Sequence, residues 1–76
     1  MIREHESAVL LVDLPEHGLK SGDVGTVVSV HDAGAGYTIE FFSLSGETLS
    51  IVTLRGVQVR PVSRRDVSHV RQLAEA

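Results

Sequence analysis

The stretch Val24-Gly25-Thr26-Val27-Val28-Ser29-Val30 decides the fold expected for this chain. β-branched residues stand at every second position from Val24 to Val30, and this period of two is typical of a β-strand. Gly25 has no side chain, which predicts either that a neighbouring strand or loop approaches closely or that the strand bends sharply. The stretch therefore predicts an all-β protein.

Further segments of the same character are separated by glycine-containing turns. We predict strands at residues 8–12, 24–30, 37–42, 48–54 and 57–62. Tyr37 and Phe41 share one face of the third strand and are expected in the core, whereas Phe42 points away from them. A long, turn-rich loop (residues 13–23) follows the first strand, and the later connections are tight. This pattern predicts a small five-stranded, partly open SH3-like barrel over residues 1–62, with a five-stranded OB barrel as the nearest rival.

Residues 63–76 carry the signals of a C-terminal α-helix. Ser63 is a suitable N-cap, and Asp66 three residues later favours the positive end of a helix. Val67, Val70 and Leu73 recur at a spacing of three residues and form a narrow apolar stripe. Because a helix of about 12 residues is marginal alone in water, we expect it to dock either on its own barrel or on a partner chain.

Length and composition exclude several classes of protein. The chain has 76 residues and no cysteine, which excludes disulfides, cysteine-type zinc sites and thiol catalysis. Since it contains no apolar run long enough for a membrane span or a signal peptide, we expect a cytoplasmic location and no membrane contact. A domain of about 60 residues buries only about 60% of the surface of its unfolded chain and is marginally stable. A partner protein or a homo-oligomer is therefore expected.

The charge is divided unevenly along the chain. Residues 1–54 hold eight acidic and two basic side chains, a net charge of −6, whereas residues 55–76 hold five arginines and two acids, a net charge of +3. An acidic body argues against general nucleic-acid binding, because that affinity comes from neutralising phosphates. Arg60, Arg64 and Arg65 cluster around the end of the last strand. They form either a solvated face with local ion pairs or a contact for an acidic partner or RNA.

The residues predict neither catalysis nor a bound metal or cofactor. The four histidines do not have the spacing of metal ligands, and no glycine-rich turn opens a helix as a phosphate loop does. The loop could supply a carboxylate–histidine pair, but acid–base catalysis also needs a pocket that excludes water. A barrel of this size is filled by its own side chains. We therefore expect a protein that is not an enzyme.

The predicted binding surface combines the long loop, the side chain of Phe42 and the apolar stripe of residues 63–76, which we call the tail. Peptide-binding SH3 domains and single-stranded nucleic-acid binders both use several aromatic side chains, and this chain has only one tyrosine and two phenylalanines. Three aromatic side chains are too few to favour either of these binding modes. The residues expected to contact a partner protein are Asp13, Glu16, His17, Lys20, Asp23, Phe42, Val67, Val70 and Leu73.

Several runs of residues resemble a family of small bacterial proteins that is grouped as a domain of unknown function. The longest is residues 13–28, Asp-Leu-Pro-Glu-His-Gly-Leu-Lys-Ser-Gly-Asp-Val-Gly-Thr-Val-Val. The later runs are Tyr-Thr-Ile-Glu-Phe at 37–41, Val-Thr-Leu at 52–54 and Val-Arg-Pro at 59–61. The resemblance covers about residues 3–62 and leaves the tail outside. It implies an SH3-like fold, and the Gly-Asp-x-Gly-Thr-Val run also resembles the turn of KOW-type modules.

The resemblance also bears on function. Some members of that family are encoded beside another small protein, which implies an accessory or antitoxin-like partner of a neighbouring gene product. Together with the residues above, this predicts a non-enzymatic protein-interaction module. The alternative is a KOW-type RNA-binding module that uses the C-terminal arginines.

Overall fold

The protein forms one five-stranded antiparallel sheet in a computed structural model that describes residues 1–73. The strand order is β4-β3-β2-β1-β5, so β1 lies between β2 and β5. The all-β, five-stranded prediction is confirmed. Strands β4 and β5 are the two edges and do not pair with each other within residues 1–73, so the sheet is open. The strands are β1 (Ser7–Leu10), β2 (Val24–His31), β3 (Gly36–Phe42), β4 (Thr48–Arg55) and β5 (Val59–Pro61).

The last strand begins two residues later than the sequence predicts. Gly56–Gln58 form a 3-10 turn in which the side-chain oxygen Oε1 of Gln58 accepts a hydrogen bond of 2.8 Å from the backbone N–H of Arg55. Only after this turn does the chain extend and pair with β1. The glutamine amide therefore shortens a segment that the valines alone mark as a longer strand.

The core lies on one face of the sheet. Tyr37, Ile39 and Phe41 alternate inward along β3 and are almost fully buried, as the period of two predicts. The hydroxyl of Tyr37 accepts a hydrogen bond of 3.1 Å from the backbone N–H of Ile2, which fixes the N-terminus against the core. Phe42 points away and is 43% exposed. The remaining core residues are Ile2, Ala8, Leu10, Leu14, Leu19, Val27, Leu54 and Val59.

Strand β2 is regular only in part. Its pairing with β3 shifts between Val27 and Ser29, so Val28 is an extra residue and is exposed, while Val30 packs against the core. Before this bulge, Gly25 faces β3 at close range. A Cβ atom on Gly25 would lie 2.6 Å from Cγ2 of Ile39, so the predicted close approach of a neighbouring strand is confirmed.

The predicted C-terminal helix is wrong for residues 63–73, which contain no helix. One turn forms at the expected N-cap, where Asp66 donates its backbone N–H to the carbonyl of Ser63 at 3.1 Å. The turn does not continue, because the Asp66 carboxylate is bound by Arg60 of β5 and the following β-branched and serine residues favour a helix only weakly. The part of the predicted helix at residues 74–76 lies outside the described residues. Among residues 1–73 no helix is long and apolar enough to cross a membrane.

Candidate functional site

The long loop, residues 13–23, folds on itself beside the sheet. Leu14 and Leu19 exchange two backbone hydrogen bonds of 2.9 and 3.1 Å, and their side chains are buried in the core. Between them Pro15–His17 form a 3-10 turn that ends at Gly18, whose φ of 68° lies in the left-handed region that glycine tolerates. The two leucines therefore anchor the loop, while the residues between them remain exposed.

Two aspartates of the loop hold its backbone in place. Oδ1 of Asp13 accepts a hydrogen bond of 2.9 Å from the backbone N–H of Ser21. Oδ2 of Asp23 accepts one of 2.8 Å from the backbone N–H of Lys20. Both are the local side-chain contacts that aspartate makes in turns. The sequence predicted these two residues as partner contacts, and the structure gives each of them a role within the loop.

Asp23 also connects the loop to the tail. Nε of Arg71 donates a hydrogen bond of 2.9 Å to Oδ1 of Asp23, and Nη2 donates a second to Oδ2. Nη2 also lies 3.0 Å from the carbonyl oxygen of Gly18, to which it donates. A guanidinium that meets a carboxylate through two nitrogens forms one of the stronger and more directional ion pairs. Arg71 therefore holds the end of the tail against the loop.

The two ends of the tail are both held by aspartates with lowered pKa values. Burial opposes the ionisation of Asp23, but the hydrogen bonds from Arg71 and from the backbone of Lys20 outweigh it, so the pKa of Asp23 lies below its ordinary value. At the other end, hydrogen bonds from Arg60 and from the backbone of Ser63 hold the pKa of Asp66 well below its usual range. Both carboxylates are therefore charged at neutral pH.

An open groove lies between the long loop and the end of the tail. Its volume is about 700 Å³, and the tip of β4 contributes Leu49 to its wall. Beside the groove, Oγ of Ser50 and Nδ1 of His17 lie 3.3 Å apart, which links the loop to β4. The exposed surface of the walls is more apolar than polar, although five of the ten lining residues have polar or charged side chains. The lining residues are Asp13, Pro15, His17, Gly18, Leu19, Lys20, Leu49, Arg71, Gln72 and Leu73.

The structure brings together only part of the predicted binding surface. Four of the nine residues, Asp13, His17, Lys20 and Leu73, line this groove, and Asp23 is beside it through its contact with Arg71. The others are exposed but do not line it. These are Glu16 in the loop, Phe42 on the outer face of β3, and Val67 and Val70 in the tail.

The three predicted arginines do not act as one cluster. Arg60 forms a two-point ion pair with Asp66, with distances of 2.8 and 2.9 Å, and also donates to the carbonyl of Pro61. Arg64 and Arg65 are exposed and form no ion pair within residues 1–73. The structure therefore shows the local ion pair expected as one alternative for Arg60.

Sequence reasoning did not select Arg71 or Leu49, although both line the groove. Arg71 lies within residues 63–76, for which the sequence predicts a helix, and only the opposite charges of this segment and of residues 1–54 indicate a contact with the loop. Leu49 lies within the strand that the sequence predicts over residues 48–54. A bulge at β4 leaves it as the extra residue between the pairs Phe41–Ser50 and Phe42–Thr48, and no local pattern marks this.

The groove offers apolar contact and a few charged side chains. Among residues 1–73, no group of three histidine, aspartate or glutamate side chains is placed to hold a metal ion. The arrangement suits the binding of an apolar side chain with polar groups around it.

Comparison with known proteins finds one family. The family described as "Domain of unknown function (DUF4926)" matches residues 4–61, which include the whole sheet and the long loop and stop before the tail. No curated protein and no solved structure matches the chain. The segment matched agrees closely with the residues on which the resemblance to a domain of unknown function rested, and the chain belongs to the DUF4926 family.

Proposed function

We propose that this chain is a non-enzymatic protein-interaction module whose binding site is the groove between the long loop and the tail. The observation that carries the proposal is the Arg71–Asp23 ion pair, which holds the tail against the loop and gives the groove its second wall. A wall that depends on one ion pair of two partly exposed side chains, 29% for Arg71 and 19% for Asp23, can adjust to a ligand.

The charge around the groove favours a basic partner. The body of the chain carries a net charge of −6, and Glu16 stands exposed at the tip of the loop. At the groove itself the positive charge of Arg71 is neutralised by Asp23, and that of Lys20 is outnumbered by the carboxylates of Asp13 and Glu16. We therefore propose a partner protein that places an apolar side chain against Leu49 and Leu73 and basic groups beside the loop, where opposite charges favour encounter and orientation.

The expected accessory or antitoxin-like role and the cytoplasmic location belong to this proposal. So does an SH3-like fold of the KOW kind, in which β1 would lie between β2 and β5. The pairing of Arg60 with Asp66 weakens the RNA-binding alternative, because only Arg64 and Arg65 of the three predicted arginines then remain for contacts with phosphate.

The experiment is a capture of partners by the tagged chain from lysate of its source, with and without nuclease, followed by binding measurements with the purified partner. Two leucines give a matched pair of variants, because Leu49 lines the groove and Leu44, which is 91% exposed, stands at the β3–β4 turn away from it. Leu49→Asp should weaken binding at least about tenfold, and Leu44→Asp should leave it unchanged.

Three results would contradict the proposal. One is equal binding by the Leu49→Asp and Leu44→Asp variants. Another is equal binding by the intact chain and by a chain that ends at residue 62 and keeps its sheet. Recovery that disappears with nuclease would instead support the RNA-binding alternative, which predicts an affinity that falls with salt and with the loss of Arg64 and Arg65.

A further inference from the structure

The long loop presents a set of acceptor oxygens that fits one guanidinium group. Nε and Nη2 of Arg71 donate to the two carboxylate oxygens of Asp23, and Nη2 also donates to the carbonyl oxygen of Gly18 at 3.0 Å. All three acceptors belong to residues 18–23, so the loop alone supplies the receiving side of this contact. The planar fork of an arginine matches such an arrangement, whereas a lysine ammonium meets it only as a point charge.

These acceptors are positioned by groups other than the tail. The carboxylate of Asp23 accepts a hydrogen bond of 2.8 Å from the backbone N–H of Lys20. The backbone carbonyl of Asp23 accepts another of 2.8 Å from the N–H of Leu10, a fully buried residue of β1. The carbonyl of Gly18 lies between the left-handed turn at that glycine and the buried Leu19. A site whose groups are fixed in this way stays formed when its occupant leaves.

The far end of the tail, in contrast, is held by one side chain. Within residues 1–73, Arg71 makes the only hydrogen bonds and the only ion pair between residues 67–73 and the rest of the chain. The apolar side chains of this segment stay largely in solvent, with Val67 90% and Val70 66% exposed. Because a partly exposed ion pair is weak, Arg71 can leave the loop while the sheet stays folded.

We propose that residues 18–23 form a binding site for an arginine side chain of another polypeptide, and that Arg71 occupies this site in the free chain. The incoming arginine takes the place of Arg71, and the far end of the tail is then released. The loop lies within the segment that matches the family, whereas Arg71 lies outside it, so the site does not depend on this particular occupant. The net charge of −6 over residues 1–54 favours the approach of a basic segment.

This inference does not rest on the proposed function. A partner in the groove needs the tail as a wall, whereas an arginine bound at residues 18–23 displaces the tail. The Arg71→Ala variant should therefore bind a groove partner more weakly than the wild type does, and it should bind an arginine-bearing peptide more tightly. Each of the two proposals can consequently fail without the other.

The probe is the tail itself, supplied as a separate peptide of residues 67–73, Val-Ser-His-Val-Arg-Gln-Leu, with both ends blocked. It is titrated into the isotope-labelled, full-length Arg71→Ala variant, and the backbone amide signals of residues 18–23 are followed by NMR. These signals should move toward their wild-type positions, with a dissociation constant of about 1–10 mM for so small a contact. The wild type should bind the peptide at least about threefold more weakly, because its own tail competes for the site.

A matched peptide and a second variant show whether the guanidinium is what the loop binds. A peptide with citrulline in place of the arginine has nearly the same shape and no charge, and it should bind at least about tenfold more weakly. Arg71→Ala combined with Asp23→Asn should also lose binding, with circular dichroism showing that it is folded. Three results would overturn the proposal: loop signals that do not move, equal affinity for the two peptides, and equal binding by the wild type and Arg71→Ala.

Discussion

Arg71 holds the carboxylate of Asp23, 48 positions earlier in the chain, through both Nε and Nη2. This contact joins the tail, which lies outside the segment matched by the family, to the loop, which lies inside it. It determines where the tail lies, and it provides one wall of the groove.

We predict that Arg71→Ala releases the end of the tail and leaves the sheet folded. The ion pair is partly exposed, so the free energy of unfolding should fall by about 1 kcal/mol or less. The NMR order parameters of the backbone of residues 67–73 should fall to values typical of flexible segments, and those of β2 and β3 should not change. Arg64→Ala, which removes an exposed arginine without an ion pair in the described chain, is the control. Equal order parameters of residues 67–73 in the two variants would contradict the prediction.

Acid should release the tail in the same way. The pKa of Asp23 is lower in the folded chain than its ordinary value of 3.8, so its ionised form stabilises the folded state. That stabilisation is fully present above the ordinary value and is lost as the pH falls through the lowered pKa. The backbone order parameters of residues 67–73 should therefore stay constant from pH 7 down to about 4 and fall below it. In Asp23→Asn the tail should already be released at pH 7, and lowering the pH should cause no further release.

The turn between β2 and β3 contains an alanine whose replacement by glycine should stabilise the protein. Ala33 has a φ of 54° and a ψ of 36°, in the left-handed region that costs an L-residue about 1 kcal/mol. Ala33→Gly should therefore raise the free energy of unfolding by about that amount, less the greater freedom of glycine in the unfolded chain. Ala35 is also exposed but has a φ of −66°, so Ala35→Gly should lower the free energy of unfolding. Chemical denaturation measures the free energy of unfolding of both variants. If Ala33→Gly lowers it as much as Ala35→Gly does, the backbone at Ala33 is not strained.

Phe41 and Phe42 are neighbours of the same type in opposite surroundings. Phe41 is 1% exposed and Phe42 is 43% exposed. Phe41→Ala should cost about 3–5 kcal/mol, enough to unfold a small domain, whereas Phe42→Ala should cost less than about 1 kcal/mol. Thermal denaturation followed by circular dichroism compares the two. Similar losses in both variants would show that Phe42 packs against something other than solvent.

The strands could be predicted from the sequence because their side chains alternate. Tyr37 and Phe41 fall inward on β3 as the period of two requires. The inner face of β4 could not be predicted in this way, because Leu49 and Ile51 are as apolar as Val52. Only the bulge at Leu49 and the pairing with β3 place Val52 inward and leave Ile51 exposed.

The tail and the groove could not be predicted, because both depend on contacts between distant residues. Ser63 and Asp66 have the spacing of a helix start, and they do form one turn. Arg60 then binds the Asp66 carboxylate, and Arg71 fixes the far end of the tail. Local helix signals are weak in a segment this short, so the local ion pair Arg60–Asp66 and the long-range ion pair Arg71–Asp23 decide its path.

The closure of the long loop by Leu14 and Leu19 makes it a site where new sequence can be introduced. Leu14 and Leu19 are the only residues of the loop with buried side chains, and the four residues between them are exposed. A different tripeptide could replace Pro15-Glu16-His17 without disturbing the sheet, provided that Gly18 is kept for its left-handed φ of 68°. The fold therefore separates the residues that hold it together from a short exposed segment that can diverge or be engineered to bind another target.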